Sequence, residues 1–406
     1  MYKNYDIMTF YYRFILCTIV GLLGFTSCGH HHHDDGPETE QTIIVFYSYT
    51  ELGSEIRDDL REMRETIAKT IEADNYRVLV YDALNTSAPQ IYEIMMGEGS
   101  ELVTKTLKTY SNVDITSEVH LTNVFRDIRR LSPTKQYKLI GGGHGSGWLP
   151  SDIDYGKIKR SFGALKEGFR IDVSTFSKAL TKADMHLDLL MLDYCLMANI
   201  EVAWELRNNA DYIIAIPAEQ VGYGFNYTDI WTDITAPVTV ERLENICQKH
   251  LDYCYEMYSG AMWYYCEAEH RYVSPITLAA VRCSELEGVA AAMRDINGTT
   301  QPLTAHPDMA GMQRYDMKSP GLFYDLLSYG RALIGEQYAT DNRYQRLVAA
   351  IDNAVPVRMH SGYFLANGSY AFKIEGDCCC LATSEPSLNS YVIDKKKATS
   401  WWLATH

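Results

Sequence analysis

Short apolar runs alternate with amphipathic segments through the first half of the chain. Five runs have the length of a buried strand, and they lie at 41–47, 76–81, 136–141, 186–192 and 212–216. Apolar residues recur at helical spacing between these runs and predict helices at 54–71, 117–131, 174–182 and 198–207. Ser54 is expected to cap the first helix, and the stretch between Tyr81 and Ser117 is expected to be rich in loops. This alternation predicts an α/β fold with a mostly parallel central sheet, which helices cover on both faces.

The pattern changes beyond about residue 235, where helical and strand-like segments no longer alternate regularly. Helices are predicted at 240–265, from Ser284 onward and at 321–334, and a strand is predicted at 273–281. The late apolar runs at 370–374 and 379–382 are expected to add strands to the sheet. We therefore divide the folded part of the chain into a core at 41–235 and a C-terminal subdomain at 236–406, which packs on the core and extends it.

The N-terminal segment 1–28 is typical of an export signal. Few charges precede the apolar run at 14–25, which is too short to span a bilayer comfortably and ends in small residues before Cys28. This ending resembles a bacterial lipoprotein signal, in which Cys28 would carry the lipid, although Phe25 stands where leucine is usual. An uncleaved membrane anchor is the alternative. We expect an exported protein of the bacterial cell envelope, lipid-anchored at the periplasmic face or the cell surface.

The polar stretch at 29–40 has no apolar periodicity and is predicted to be a flexible tether. Its four successive histidines at 30–33 could bind a transition metal, but a structural zinc site normally draws ligands from two separate places. Acidic loops such as 152–154 could hold calcium, yet no EF-hand-like spacing appears. We therefore assign no metal and no cofactor.

Composition narrows the classes of function. Hydrophobic residues make up 47% of the chain, enough for a sizeable core, and the formal net charge is −15. Nucleic acid is excluded as a partner, because affinity for phosphate backbones depends on clustered lysine and arginine. The spacing of the ten cysteines does not predict a disulfide framework, since three of them are consecutive at 378–380. One or two bonds remain open among Cys247, Cys254, Cys266 and Cys283.

Two segments each place a reactive side chain at the end of a predicted strand. They are Gly-Gly-Gly-His-Gly-Ser-Gly-Trp at 141–148 and Leu-Asp-Tyr-Cys-Leu-Met-Ala-Asn at 192–199. The C-terminal ends of parallel strands open onto one crevice, where the imidazole of His144 would help to deprotonate the thiol of Cys195. The amides of Gly145 and Cys195 would then form an oxyanion hole. The pair therefore predicts a cysteine peptidase.

Other interpretations of these motifs stay open. A cysteine after an apolar strand is often only a small buried hydrophobic residue, although the histidine at a neighbouring strand end favours catalysis for Cys195. The glycine-rich segment could instead bind phosphate. It lacks the Lys-Ser/Thr pair of that motif, and no signal for a helix start follows directly.

The stretch from Leu139 to Tyr227 closely resembles the clostripain family of cysteine peptidases, whose fold is caspase-like. The agreement covers His-Gly-Ser-Gly-Trp at 144–148, Asp-Tyr-Cys-Leu-Met at 193–197, Glu-Val-Ala-Trp-Glu-Leu at 201–206, Ala-Asp-Tyr-Ile-Ile at 210–214 and Gly-Tyr-Gly-Phe-Asn-Tyr at 222–227. The resemblance implies a three-layer α/β/α sandwich, with 41–235 as its catalytic part. It also implies an endopeptidase whose substrates are polypeptides.

The resemblance also implies that the enzyme cleaves after arginine or lysine. The aspartate two residues before the nucleophile, here Asp193, would line the pocket for the basic side chain, because a buried carboxylate can pair with a guanidinium. Asp193 could instead cap the helix expected near Met197. Glu219 and Asp229 are candidates for a second pocket carboxylate, and either could equally be a surface charge.

The resemblance further implies maturation by a cut between the histidine and the cysteine. The intervening segment 151–170 concentrates basic residues and glycines, and its candidate self-cleavage points are Lys157, Lys159, Arg160 and Lys166. An ordinary solvated loop is the alternative there. Two other functions remain for the whole chain: a catalytically silent surface lipoprotein on the same scaffold, or a cysteine amidase acting on cell wall.

Overall fold

The computed structural model describes residues 39–99, 101–151, 168–258, 264–303, 305–368 and 370–406. The predicted signal with Cys28, most of the tether, and the four candidate self-cleavage points lie outside the described residues, as does the acidic loop at 152–154. No helix of the described residues is long and apolar enough to cross a membrane.

Strands and helices are numbered in chain order. The strands are β1 (Gln41–Tyr47), β2 (Tyr76–Asp82), β3 (Gln90–Met96), β4 (Leu102–Thr109), β5 (Gln136–Gly142), β6 (Leu187–Asp193), β7 (Ala210–Ala215), β8 (Tyr264–Cys266), β9 (Arg271–Val273), β10 (Thr277–Arg282), β11 (Tyr324–Asp325), β12 (Val357–His360), β13 (Tyr363–Ala366), β14 (Tyr370–Lys373) and β15 (Ala382–Thr383). The helices are α1 (Gly53–Asp74), α2 (Glu118–Leu131), α3 (Val173–Lys182), α4 (Ile200–Leu206), α5 (Tyr227–Thr235), α6 (Val240–Tyr258), α7 (Leu286–Thr299), α8 (Leu326–Ile334), α9 (Asn342–Ala354) and α10 (Ser400–Thr405).

A nine-stranded sheet forms the centre of the molecule, in the order β12-β10-β7-β6-β5-β1-β2-β3-β4. Its five middle strands, β7-β6-β5-β1-β2, are mutually parallel and correspond to the five apolar runs of the sequence. Antiparallel pairs extend the sheet at both edges. The predicted α/β fold with a mostly parallel central sheet is therefore confirmed.

Alternate side chains along the strands pack into two separate hydrophobic layers. On β1, Ile43 and Val45 pack with residues of α1, α5 and α6, whereas Ile44 and Phe46 pack with residues of α2, α3 and α4. Residues of α7, α8 and α9 join the second layer. A strand buried on both faces is apolar at most positions, which is why these strands appear as apolar runs, although Thr42 on β1 and Lys138 on β5 are buried polar residues.

Three sequence-based expectations were wrong. The loop-rich stretch after β2 contains the hairpin β3–β4, whose outer strand β4 is largely exposed and so carries no apolar run. The late runs do not join the central sheet: β14 belongs to a four-stranded sheet, β13-β14-β8-β9, and β15 pairs with β11. Helix α1 begins at Gly53 without a side-chain cap, and the Ser54 hydroxyl donates to Glu55 instead.

Candidate active site

Neighbouring strand ends bring the two motifs of the sequence together. Gly142 at the end of β5 is in register with Asp193 at the end of β6, and the amide of Gly143 donates to the Asp193 carbonyl over 3.3 Å. A Cβ atom at Gly145 would lie 2.2 Å from the carbonyl oxygen of Cys195 and 3.0 Å from its nitrogen. Only glycine permits this close approach, which places the backbones of Gly145 and Cys195 side by side.

Cys195 lies directly after β6, in a tight turn where Leu196 has a φ of 63°. The segment after β7 holds this turn, since the Leu196 amide donates to the Ala218 carbonyl over 2.7 Å. The amide of Gln220 donates to the Cys195 sulfur over 3.3 Å. Such a donor favours the thiolate over the thiol.

His144 and Cys195 line one cleft with a volume of about 280 Å³. The cleft lies at the C-terminal ends of β5 and β6, where an α/β sheet commonly binds ligands. Its walls come from the start of α1, from the segment at 219–224, and from the C-terminal half of the chain through Tyr264 and Leu365. Sequence reasoning thus placed both reactive residues in the same cleft.

Asp193 faces this cleft and is only 7% exposed. Its carboxylate accepts hydrogen bonds from the Tyr227 hydroxyl over 2.8 Å, from the Phe225 amide over 3.3 Å, and from the Gln220 side chain. Burial raises the pKa of Asp193, and these three donors oppose that rise. Asp193 does not cap a helix, because α4 begins at Ile200 and is capped by Asn199, which accepts from the Val202 amide.

Further carboxylates surround the same cleft. Asp59 and Glu55 reach it from α1, and Glu219 reaches it from the segment after β7, where it also accepts from the Gly368 amide over 2.6 Å. Asp229 is exposed in the first turn of α5 and is not among the lining residues. The described lining residues include no lysine and no arginine, so the cleft is acidic.

Sequence reasoning missed Asp59. Burial raises the pKa of its carboxyl to about 9, with the charge of Asp193 as the next largest cause. In the sequence Asp59 belongs to a highly charged helix, Glu-Ile-Arg-Asp-Asp-Leu-Arg-Glu at 55–62, where a solvated acid is the ordinary expectation. Only the packing of α1 against the strand ends distinguishes it.

The remaining sequence hypotheses concern ions and cysteines. The described residues at 143–151 contain no helix, so the glycine-rich segment lacks the helix N-terminus that phosphate-binding loops use. Among the residues that the structure describes, no group of three or more His, Cys, Asp or Glu could hold a metal ion. None of the eight described cysteines forms a disulfide, and all are buried.

Comparisons with known proteins agree on one family. The model of the clostripain family matches residues 49–355. A secreted C11 cysteine protease from Bacteroides thetaiotaomicron, iotapain, is 26% identical with a TM-score of 0.78, covering 91% of this chain and 100% of its own. A clostripain from Bacteroides thetaiotaomicron ATCC 29148, solved with the peptide inhibitor BTN-VLTK-AOMK, is 28% identical with a TM-score of 0.51, covering 60% of this chain and 99% of its own.

An inactive zymogen C11 protease from Parabacteroides distasonis is similar in fold. It is 22% identical with a TM-score of 0.72, and the match covers 92% of this chain and 99% of its own. No curated protein sequence matches the chain.

Proposed function

Because the chain belongs to the clostripain family of cysteine peptidases, we propose that it hydrolyses peptide bonds after arginine or lysine, with Cys195 as nucleophile and His144 as general acid and base. The observation that carries this proposal is one cleft that holds both reactive residues beside Asp193 and has no described lysine or arginine in its lining. An amidase acting on cell wall would have no need of such an acidic pocket.

The chemistry proceeds by two acyl transfers. His144 accepts the thiol proton, and the Cys195 sulfur attacks the carbonyl carbon of the substrate to form a tetrahedral oxyanion. The amides of Gly145 and Cys195 stabilise this oxyanion, while the Gln220 amide stabilises the thiolate before attack. His144 then protonates the leaving amine as the C–N bond breaks, and water hydrolyses the thioester to regenerate the thiol.

Specificity for a basic side chain is supported by two observations. Asp193 is a buried carboxylate that faces the cleft, and an unpaired buried charge disfavours neutral side chains. The Bacteroides thetaiotaomicron clostripain with 28% identity was solved with an inhibitor whose peptide, VLTK, ends in lysine. A pocket for lysine or arginine in this chain fits both.

Fluorogenic acyl-arginine and acyl-lysine peptides test the proposal, with acyl-citrulline as the neutral control of similar shape. We expect cleavage of the two basic peptides only, and no cleavage by Cys195→Ala. The variant Asp193→Ala should lose this cleavage while its thiol still reacts with iodoacetamide. Unchanged cleavage by Asp193→Ala, or a parent chain that does not cleave either basic peptide, would refute the assignment.

We also propose that the chain matures by cutting itself in the basic segment between His144 and Cys195. The support is the concentration of Lys157, Lys159, Arg160 and Lys166 in an acidic protein that prefers such residues. Purified parent protein should separate into two fragments on a denaturing gel, whereas Cys195→Ala should stay whole. A parent that is intact and fully active would exclude a required cut.

Export and a lipid anchor on Cys28 complete the proposal. The sequence of 1–28 supports them, and the relative with 26% identity is described as secreted. Incorporation of labelled palmitate into the parent but not into Cys28→Ala tests the anchor. A Cys28→Ala protein that keeps the label would contradict it.

A further inference from the structure

We infer that Asp59 is a second carboxylate of the pocket for the basic side chain, and that it pairs directly with the substrate cation together with Asp193. This inference rests on the proposed function and deepens it. Asp59 lies on α1, far from Asp193 in the sequence, yet both acids line the same cleft.

The hydrogen bonds of the two acids differ in a way that matters for binding. A carboxylate offers about four lone-pair sites, and Asp193 already uses three of them on Gln220, Phe225 and Tyr227. A guanidinium presents five N–H donors, which one remaining site cannot satisfy. A second carboxylate that faces the cation would satisfy more of these donors and add to the charge that attracts it.

Asp59 has the free acceptors that this requires. No hydrogen bond or ion pair links its carboxylate to any of the residues that the structure describes, and its side chain is half-buried at the cleft wall. Neither of its oxygens is among the fully buried polar atoms that lack a partner, so the carboxylate is open to a ligand in the cleft. The unsatisfied donors of an arginine or lysine side chain are the matching chemistry.

The position of α1 is fixed by the same residues that hold Asp193. Glu55, Asp59 and Glu62 lie at positions i, i+4 and i+7 and so share one face of the helix. Glu62 accepts from the Tyr227 amide over 3.1 Å, and the Tyr227 hydroxyl donates to Asp193. Tyr227 therefore ties the acidic face of α1 to the acid at the end of β6.

The largest charge effects on Asp59 come from other acids, Asp193 on β6 and Glu62, Asp58 and Glu55 on α1. His144 lines the same cleft and can gain a proton, but the described lining residues include no lysine and no arginine with a permanent positive charge. A substrate cation would thus find two acids and displace the proton that the free pair retains.

Peptide binding to the inactive Cys195→Ala chain, measured by titration calorimetry, tests the inference. The dissociation constant of an acyl-arginine peptide should rise about 10- to 100-fold when Asp59→Asn is added, because one charge-assisted contact is lost. Binding of the acyl-citrulline peptide should not change. The matched control is Asp58→Asn, which removes the same charge from the next residue, whose side chain is 67% exposed, and should shift neither constant more than about twofold.

The outcomes separate the inference from the proposed function. Arginyl binding by Asp59→Asn that equals that of Asp58→Asn overturns the inference while the proposed function stands. A parent chain that fails to cleave arginyl and lysyl peptides overturns both. Should Asp59→Asn not fold, Asp59→Ser takes its place in the same titration, and arginyl binding equal to that of Asp58→Asn again overturns the inference.

Discussion

A single hydrogen atom in place of a side chain at Gly145 lets two backbones meet beneath the cleft. The sequence shows glycines on both sides of His144, but it does not say which atoms of the chain approach them. In the structure the nearest atoms belong to the backbone of Cys195 and to Tyr194. Since backbone cannot move aside cheaply, Gly145 sets the geometry of the proposed oxyanion hole.

Replacing Gly145 by alanine should therefore impair chemistry. Its Cβ would meet the Cys195 carbonyl at 2.2 Å and the Tyr194 Cβ at 2.7 Å, so one of the two proposed oxyanion donors must shift. We expect kcat on an acyl-arginine peptide to fall about 100-fold or more, the usual effect of losing such a donor. The control Gly298→Ala, where a Cβ meets nothing within 4 Å, should keep full activity. A Gly145→Ala enzyme with normal kcat would contradict this role.

The raised pKa of Asp59 also predicts how stability depends on pH. The folded-state pKa of about 9 lies above the ordinary value of 3.8, so the protonated acid is favoured by folding, and this contribution is lost as the pH rises toward 9. Because asparagine does not ionise, the Asp59→Asn variant does not suffer this loss of stability at high pH. Between pH 5 and pH 9, the Tm of the variant should therefore fall less than that of the parent, by on the order of 5 °C.

Scanning calorimetry at pH 5, 7 and 9 measures this difference, with Cys195→Ala as the common background to prevent cleavage. Asp58→Asn should follow the parent, because the ion pair of Asp58 with Arg61 lies at the surface, where such pairs contribute little to stability. Parallel Tm curves for parent and Asp59→Asn would mean that the buried acid is not held protonated.

Helix α4, which follows Cys195 in the chain, is anchored by the distant C-terminal segment. The carboxylate of Glu201 is buried and accepts three hydrogen bonds, from the Ser384 amide over 2.8 Å, the Ser384 hydroxyl over 2.7 Å and the Thr383 hydroxyl over 3.1 Å. The Ala382 amide adds a bond to the Ala198 carbonyl over 2.9 Å. The turn after Cys195 is thus held from both sides.

Truncation of Glu201 should weaken this anchor. Glu201→Ala leaves three buried donors without an acceptor, and we expect the free energy of unfolding to fall by about 3 kcal/mol in a denaturant titration. Glu201→Gln keeps the accepting oxygen but places its NH2 group at the buried Oε2 position, which has no partner, so it should cost about 1 kcal/mol, less than alanine. The exposed Glu287→Ala serves as a surface control. Equal losses for the alanine and glutamine variants would assign the effect to charge and not to hydrogen bonding.

Strands could be predicted from the sequence where burial gives them a regular apolar pattern. The parallel strands β1, β2, β5, β6 and β7 are buried on both faces, so their apolar runs could be recognised directly. The edge strand β4 was missed because its exposed positions tolerate polar residues, although its partner β3 is largely buried. Strands β10 and β12 gave no sign of their partners, because antiparallel pairing across a long chain separation depends on packing that a single sequence does not reveal.

The difference between local motifs and packing also explains which residues of the candidate site could be predicted. His144, Cys195 and Asp193 stand at strand ends inside short motifs and could be placed together from the sequence. Asp59 and Gln220 could not, since one looks like a helix-surface acid and the other acts through its backbone amide. Such residues acquire a role only when separate elements pack around the cleft.

The whole molecule depends on pairing between its two halves in sequence. Antiparallel strands β10 and β12 continue the central sheet from β7, and the hydrogen bond from Ala382 reaches Ala198, close to Cys195 in the chain. The division into a core at 41–235 and a C-terminal subdomain at 236–406 stays a prediction, and we propose that the first part needs the second to fold.

A shortened chain of residues 39–235 should accordingly fail to fold on its own. Without β10, strand β7 becomes an exposed and apolar sheet edge, which favours aggregation, and Glu201 loses its three donors. We expect this fragment to be insoluble or to unfold without a cooperative transition by circular dichroism. Residues 39–406 should melt cooperatively and cleave arginyl peptides, because they retain every strand of the central sheet. A soluble 39–235 fragment with a sharp thermal transition would show instead that the first half is an independent domain.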